Sequence, residues 1–161
     1  MAKIIILSGK ICSGKTTYSE QLKSQINGVV LSSDEMVLSL FGEFLGDKHE
    51  EISERCNAYL YDLAEKIINA NINVILDWSP WTVDGRKKMV GNIRAKNIDV
   101  EMRYIKVDED KRNAQIQKRN QSVKEGKSNA YYICDNLKEK ADKAFEEPSD
   151  DEDFILIDNS L

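Results

Sequence analysis

The stretch Lys3-Ile4-Ile5-Ile6-Leu7-Ser8-Gly9-Lys10-Ile11-Cys12-Ser13-Gly14-Lys15-Thr16-Thr17 decides the fold. A β-branched apolar run gives way to G-x-x-x-x-G-K-T, the spacing of a phosphate-binding P-loop. A helical pattern follows over Thr17–Ile26, with Leu22 and Ile26 on one face. The spacing predicts a strand that ends, a turn around a polyphosphate, and a helix whose free N–H groups aim at the phosphates. Gly9 and Gly14 allow backbone conformations and approaches that a Cβ would block. Lys15 places a compact positive charge among the phosphates, and the Thr16 hydroxyl suits one position on Mg²⁺, a hard ion that prefers oxygen. Lys10, Ile11, Cys12, Ser13 and Thr17 complete the stretch expected to hold a nucleotide triphosphate.

A chain of 161 residues with 41% hydrophobic content fits one globular domain over residues 1–161. The net charge of −5 argues against non-specific binding to a nucleic-acid backbone, although a local basic site stays open. Cys12, Cys56 and Cys134 are widely spaced and His49 is the only histidine, so no zinc pattern is present. Met1-Ala2-Lys3 leads directly into the first strand, leaving no room for a signal peptide, and no apolar run reaches the ~18 residues of a membrane span. The expected setting is cytoplasmic, with reduced thiols.

Five apolar runs read as strands: Lys3–Leu7, Val29–Leu31, Asn73–Leu76, Val100–Val107 and Phe154–Ile157. Four are short and nearly uninterrupted, as in a parallel sheet covered on both faces; Val100–Val107 alternates more and is expected nearer an edge. Helical patterns fill the gaps. Ile52, Cys56, Tyr59, Leu60, Leu63 and Ile67 mark Glu50–Asn69; Ser79-Pro80 reads as a cap and first helical residue opening a helix toward Lys96. Asp110–Arg119 reads as a short charged helix, and Leu137, Ala141 and Phe145 mark the last one. Strands alternating with helices give a three-layer α/β domain with right-handed crossovers. The segment 146–153, with six carboxylates in eight residues, reads as a solvated connector or as an acidic wall against polyanions.

A P-loop alone does not choose among nucleotide enzymes, but absences help. No N-K-x-D guanine-selecting segment occurs, and Asp77 is followed by Trp78-Ser79-Pro80 rather than by a D-x-x-G switch. The chain is also short for the helical second domain of oligomeric remodelling ATPases. A small phosphotransferase fits best. The order of strand, GKICSGKTT, strand with Ser-Ser-Asp34, strand with Asp77, then Lys118-Arg119-Asn120 resembles the P-loop kinases of the AAA-type ATP-binding protein family. Their relatives include polynucleotide 5′-hydroxyl kinases, chloramphenicol phosphotransferases and zeta-toxin kinases. The resemblance implies a nucleoside/nucleotide-kinase-like fold: a five-stranded parallel sheet in order 2-3-1-4-5, with a helical lid over about 108–147. It also implies ATP and Mg²⁺ as cofactors.

Asp34 follows the second strand, at the carboxyl edge where open α/β sheets bind ligands. The resemblance makes it the carboxylate that takes the acceptor hydroxyl's proton; the residues alone also allow Ser33 or Asp34 to cap the helix Glu35–Leu40, with Ser32 and Ser33 as caps rather than chemistry. Asp77 ends V-I-L-D, a Walker B pattern, and is expected to manage Mg²⁺ or orient the acceptor, since a buried carboxylate needs an electropositive partner. Arg112, Gln115 and Arg119 share one helix face. The resemblance makes Arg119 the lid arginine that clamps phosphates or stacks on adenine, with Arg112 the second candidate and a solvated face the plain alternative.

Trp78 and Trp81 leave the strand end beside Asp77 and either wall the acceptor pocket or pack in the core. Val37 stands where polynucleotide kinases of this type carry an arginine, which favours a neutral or apolar small acceptor over nucleic acid. Residues 42–49 read as a loop over that acceptor, with His49 at the surface. Cys12, in the loop near a helix N-terminus and Lys15, is expected to be the most reactive thiol or simply a small side chain that fits. The expected partners are therefore a nucleotide and a hydroxyl-bearing small molecule, with no membrane. A nucleotide-dependent switch without an acceptor and a kinase of RNA or DNA 5′-ends are the rival readings. Lys15, Asp34 and Arg119 are the candidate catalytic residues.

Overall fold

The computed structural model describes residues 1–160. β1 (Lys3–Ser8) lies at the centre of a five-stranded sheet ordered β2-β3-β1-β4-β5, with β2 at Gly28–Leu31, β3 at Asn73–Leu76, β4 at Asp99–Lys106 and β5 at Ile155–Asp158. Every pairing is parallel; Ile4, Ile5 and Ile6 stand opposite Val74, Ile75 and Leu76 on one side and Val100, Glu101 and Met102 on the other. The helices are α1 (Lys15–Ile26), α2 (Ser33–Phe41), α3 (His49–Asn69), α4 (Val83–Ala95), α5 (Glu109–Lys124) and α6 (Asp135–Ala144). The three-layer architecture and strand order expected from the sequence are those observed.

Strand alternation explains the unbroken apolar run of β1, because each face has its own helical cover. Ile5 and Leu7 join Ile75 and Leu22 of α1 in one core. Ile4 and Ile6 join Val74, Leu76, Val100 and Met102 beneath Leu60 and Ala64 of α3 and Met89 and Ile93 of α4. β4 lies nearer an edge than β1, with only β5 outside it. It alternates because Glu101 and Arg103, opposite Ile5 and Leu7 on the α1 face, form a polar cluster. There Glu101 pairs with Lys3 at 2.6 Å, and the Arg103 guanidinium donates to the Tyr18 hydroxyl at 2.5 Å.

Three expected helix starts move, that of α2 from Glu35 to Ser33. α4 begins at Val83, capped by the Thr82 hydroxyl, which accepts from the Gly85 N–H at 3.1 Å; Ser79-Pro80 lies in the loop before it. Pro80 instead packs on the first turn, where a Cβ on Gly85 would meet its ring at 2.7 Å. α1 begins at Lys15 rather than Thr17, so the loop's own lysine is already helical.

The acidic segment before β5 is a connector with five of its six carboxylates exposed, but it is also fastened to α4 through the sixth. Glu152 and Arg86 are both almost fully buried and form two hydrogen bonds of 2.8 and 3.0 Å. Asp151 pairs with Lys87, and Glu146 accepts from the Val83 N–H at 2.7 Å. Among the described residues no helix is long and apolar enough to cross a membrane.

Candidate active site

The phosphate loop leaves β1 at Ser8 through three residues of unusual backbone. Gly9 has φ 152°, Cys12 φ 56° and Gly14 φ 100°. A Cβ on Gly9 would stand 2.6 Å from the Ile105 carbonyl oxygen and 2.7 Å from Ser13 Oγ, so both conformation and space demand glycine. No side chain caps the N-terminus of α1 and no acidic residue lies in its first turn. The first N–H groups of a helix need acceptors from outside it, and here Gly9 to Thr17 present that positive end to the cleft.

Lys15, partly buried, curls back to donate to the carbonyls of Gly9 at 2.9 Å and Lys10 at 2.8 Å. Burial lowers its pKa to about 8, opposed by the carboxylates of Asp77 and Asp34. Asp77 continues β3, its N–H donating to the Leu31 carbonyl at 2.9 Å. Burial raises its pKa to about 6, against the Thr16 hydroxyl, which donates to Oδ2 at 2.7 Å, and the Lys15 charge. Its other oxygen, Oδ1, is buried without a hydrogen-bond partner. A hydroxyl beside an orphaned carboxylate oxygen at a polyphosphate cradle is a donor set that fits Mg²⁺ completed by phosphate and water. Among the described residues no cluster of three His, Cys, Asp or Glu side chains offers a cage made by protein alone.

Asp34 sits in the first turn of α2 with its side chain exposed. The cap of α2 is Ser32, whose hydroxyl accepts from the Glu35 N–H at 3.3 Å, so neither Ser33 nor Asp34 caps this helix. The Asp34 charge acts on both Lys15 and Asp77. Val37 is 1% exposed, a core residue whose apolar character serves packing and presents nothing to an acceptor.

The two arginines of α5 part company. Arg119 is half-buried, and its charge acts on Lys15 and Asp77. Arg112 is fully buried and committed to the protein itself. It donates to the Ile11 carbonyl at 2.8 Å and forks onto Asp142 of α6 at 3.0 and 2.5 Å. With Lys10 paired to Glu109 at 3.2 Å, this ties the tip of the phosphate loop to α5 and α6. Arg112 is therefore a brace for the loop rather than a free clamp. Gln115 on the same face has its Oε1 buried and unpartnered.

Trp78, half-buried, packs edge-on against Tyr61 at 5.8 Å between centroids, while Trp81 is 39% exposed and uses its carbonyl to hold Arg86 and the Glu146 N–H. Of the thiols, Cys56 is buried, Cys12 half-buried and Cys134 exposed. One residue of the site carries no motif. Asn159, just past β5, donates from its amide to the Ser13 carbonyl at 2.9 Å and lies against Gly14, where a Cβ would clash with it. Its only sequence signal is its place at the carboxyl end of the last strand.

No curated protein matches this chain by sequence. Solved structures match it in shape. A candidate kinase from Chloroflexus aurantiacus superposes with a TM-score of 0.73 at 16% identity, over 99% of this chain and 89% of that one. Kti12 of Chaetomium thermophilum, solved with ADP-AlF3, gives 0.71 at 16% identity over 98% and 89%. A gluconokinase from Sinorhizobium meliloti gives 0.63 at 13% identity over 99% and 83%. At such identities the likeness is one of fold, and that fold is the P-loop kinase-like one. Sequence and loop geometry agree with it: the model of a family described as an AAA domain matches residues 4–131, and the chain belongs to that family.

Proposed function

We propose that the protein is an ATP-dependent phosphotransferase that moves the γ-phosphoryl group to a hydroxyl of a small acceptor. The observation that carries this reading is the phosphate loop itself, where the Thr16 hydroxyl meets Asp77 at 2.7 Å and the charges of Asp34 and Arg119 act on both Lys15 and Asp77. Phosphoryl transfer needs positioning and neutralisation of charge more than covalent chemistry, and these side chains offer both. The loop from Gly9 to Thr17 holds the triphosphate through backbone N–H groups. Lys15 exchanges its two carbonyl partners for phosphate oxygens and stabilises the charge that builds during transfer. Thr16 and Asp77 would hold Mg²⁺, which would supply neutralisation of the phosphates' charge. Asp34, exposed and free of any capping duty, accepts the proton of the acceptor hydroxyl. Arg119 approaches the transferred group from α5.

Kinase-like neighbours, one of them a gluconokinase and another solved with ADP-AlF3, support the nucleotide and the reaction class. The net charge of −5 favours a small acceptor over a nucleic-acid end. The test is Asp34→Asn. Phosphate transfer, followed as ADP release with a panel of hydroxyl compounds, should fall by about 10²–10⁴-fold. Mg-ATP affinity by calorimetry should stay within about twofold, because a base acts on the acceptor rather than on ground-state nucleotide binding. Normal turnover in the variant removes Asp34 from the mechanism. Acceptor-independent ATP hydrolysis alone would favour the nucleotide switch.

A further inference from the structure

Met89 and Ile93 of α4 and Ile4 of β1 belong to the buried core, yet together they floor a pocket of about 460 Å³ between α3 and α4. Ile98, just before β4, and Tyr61 of α3 complete its apolar walls. Protein interiors are close-packed and hold few voids larger than a water molecule, so a hollow of this size far exceeds a packing gap. It falls within the ~300–1,000 Å³ of small-molecule sites.

The pocket stands apart from the phosphate loop. Lys96 caps the C-terminus of α4 and Ile98 leads into β4, which puts the opening toward the amino ends of the strands. The phosphate loop leaves their carboxyl ends, and Gly9 follows Ile4 by five residues of extended chain, ~17 Å.

The mouth is polar and internally neutralised. Lys96 donates to Glu65 at 2.6 Å there, and Asn92 and Ala95 stand exposed beside them. A charged ligand must either break that pair or leave its own charge unpaired on an apolar floor, which is costly; a neutral one leaves the pair intact. The Asn92 amide can both donate and accept. The Tyr61 ring is held edge-on against Trp78 with centroids 5.8 Å apart, and with the Met89 thioether it favours an aromatic body over an aliphatic one. Burial pushes the Tyr61 hydroxyl up to about 12, so this wall is uncharged at neutral pH.

We propose that the pocket between α3 and α4 is a binding site for a neutral aromatic molecule bearing one hydroxyl or N–H group, its ring against Tyr61 and Met89 and its polar group at Asn92. The site is additional to the phosphate loop and does not depend on the reaction carried out there.

The test uses the full chain, with and without Mg-ATP, and four bicyclic probes in calorimetry. 2-Naphthol and indole represent the proposed class; 2-naphthoate and tryptamine carry the same rings with a negative or a positive charge. At least one neutral probe should bind with a Kd of about 100 µM or tighter, and about tenfold or more tighter than its charged counterpart. Mg-ATP should leave that affinity unchanged. Methyl-¹³C labelling locates the probe: of Met1, Met36, Met89 and Met102, Met89 should show the largest shift. Ala95→Phe, which fills the mouth from its exposed rim, should weaken the probe about tenfold or more while the urea midpoint holds. Should that variant unfold, the Met89 shift in the unaltered chain decides. No saturable binding of either neutral probe, or equal binding of the charged ones, overturns the proposal. So does displacement by Mg-ATP, which places the probe at the phosphate loop, or a Met89 methyl that stays still while the probe binds. An affinity that weakens as protein concentration rises assigns the pocket to contact between copies and overturns it too.

Discussion

Lys15 and Asp77 are displaced from their ordinary pKa values toward one another, to about 8 and about 6, each chiefly by burial. The consequence is a pH window for nucleotide binding. Below about 6 Asp77 gains a proton and no longer suits Mg²⁺; above about 8 Lys15 loses its charge and no longer suits phosphate. Because bound Mg-ATP favours ionised Asp77 and protonated Lys15, affinity should peak between these values and fall on both sides. Calorimetry across pH should show two limbs. Asp77→Asn should flatten the acid limb and keep the alkaline one, whereas an unchanged acid limb would assign it to the nucleotide's own titration.

At the scale of elements, buried ion pairs hold the periphery to the sheet. Arg86 and Glu152 are both almost wholly out of water, joining α4 to the segment before β5. Glu152→Leu leaves the Arg86 charge unpaired and should cost about 3–5 kcal/mol, read as a lower urea midpoint; the double change Arg86→Met with Glu152→Leu should recover much of it. Arg112→Met removes the brace between Ile11 and Asp142 and should raise the KM for ATP about tenfold or less, since the loop's own glycines and N–H groups persist. These pairings mark where the sequence stopped being legible. β1 and β3 were readable to within a residue because burial on two faces leaves unbroken apolar runs; β2 and β5 kept short apolar runs although most of their residues are not buried. Gly9 was readable because a φ of 152° and the close Ile105 carbonyl demand glycine there. The roles of Arg112 and Glu152 were not, since their partners, Asp142 and Arg86, lie 30 and 66 residues away. Spacing along α5 put Arg112 and Arg119 on one face without telling a brace from a clamp. Ser79-Pro80 misled because Thr82 offers a second cap three residues on, and the folded loop uses that one.

For the molecule as a whole, the site draws on the first loop, the ends of β3 and β5, and α2 and α5, so nucleotide should stabilise the entire fold. Mg-ATP at 100 times its dissociation constant contributes about 2.7 kcal/mol, which for a chain of this size raises Tm by about 5–10 °C. A melt insensitive to Mg-ATP would refute nucleotide binding. The buttress supplied by Asn159 has a further consequence, one of timing. On the ribosome, residues 9–16 emerge long before position 159 is translated, and until then the Ser13 carbonyl lacks its companion amide. A nascent or C-terminally clipped polypeptide should thus display the nucleotide signature yet grip ATP weakly. Competence would arrive only with the last strand.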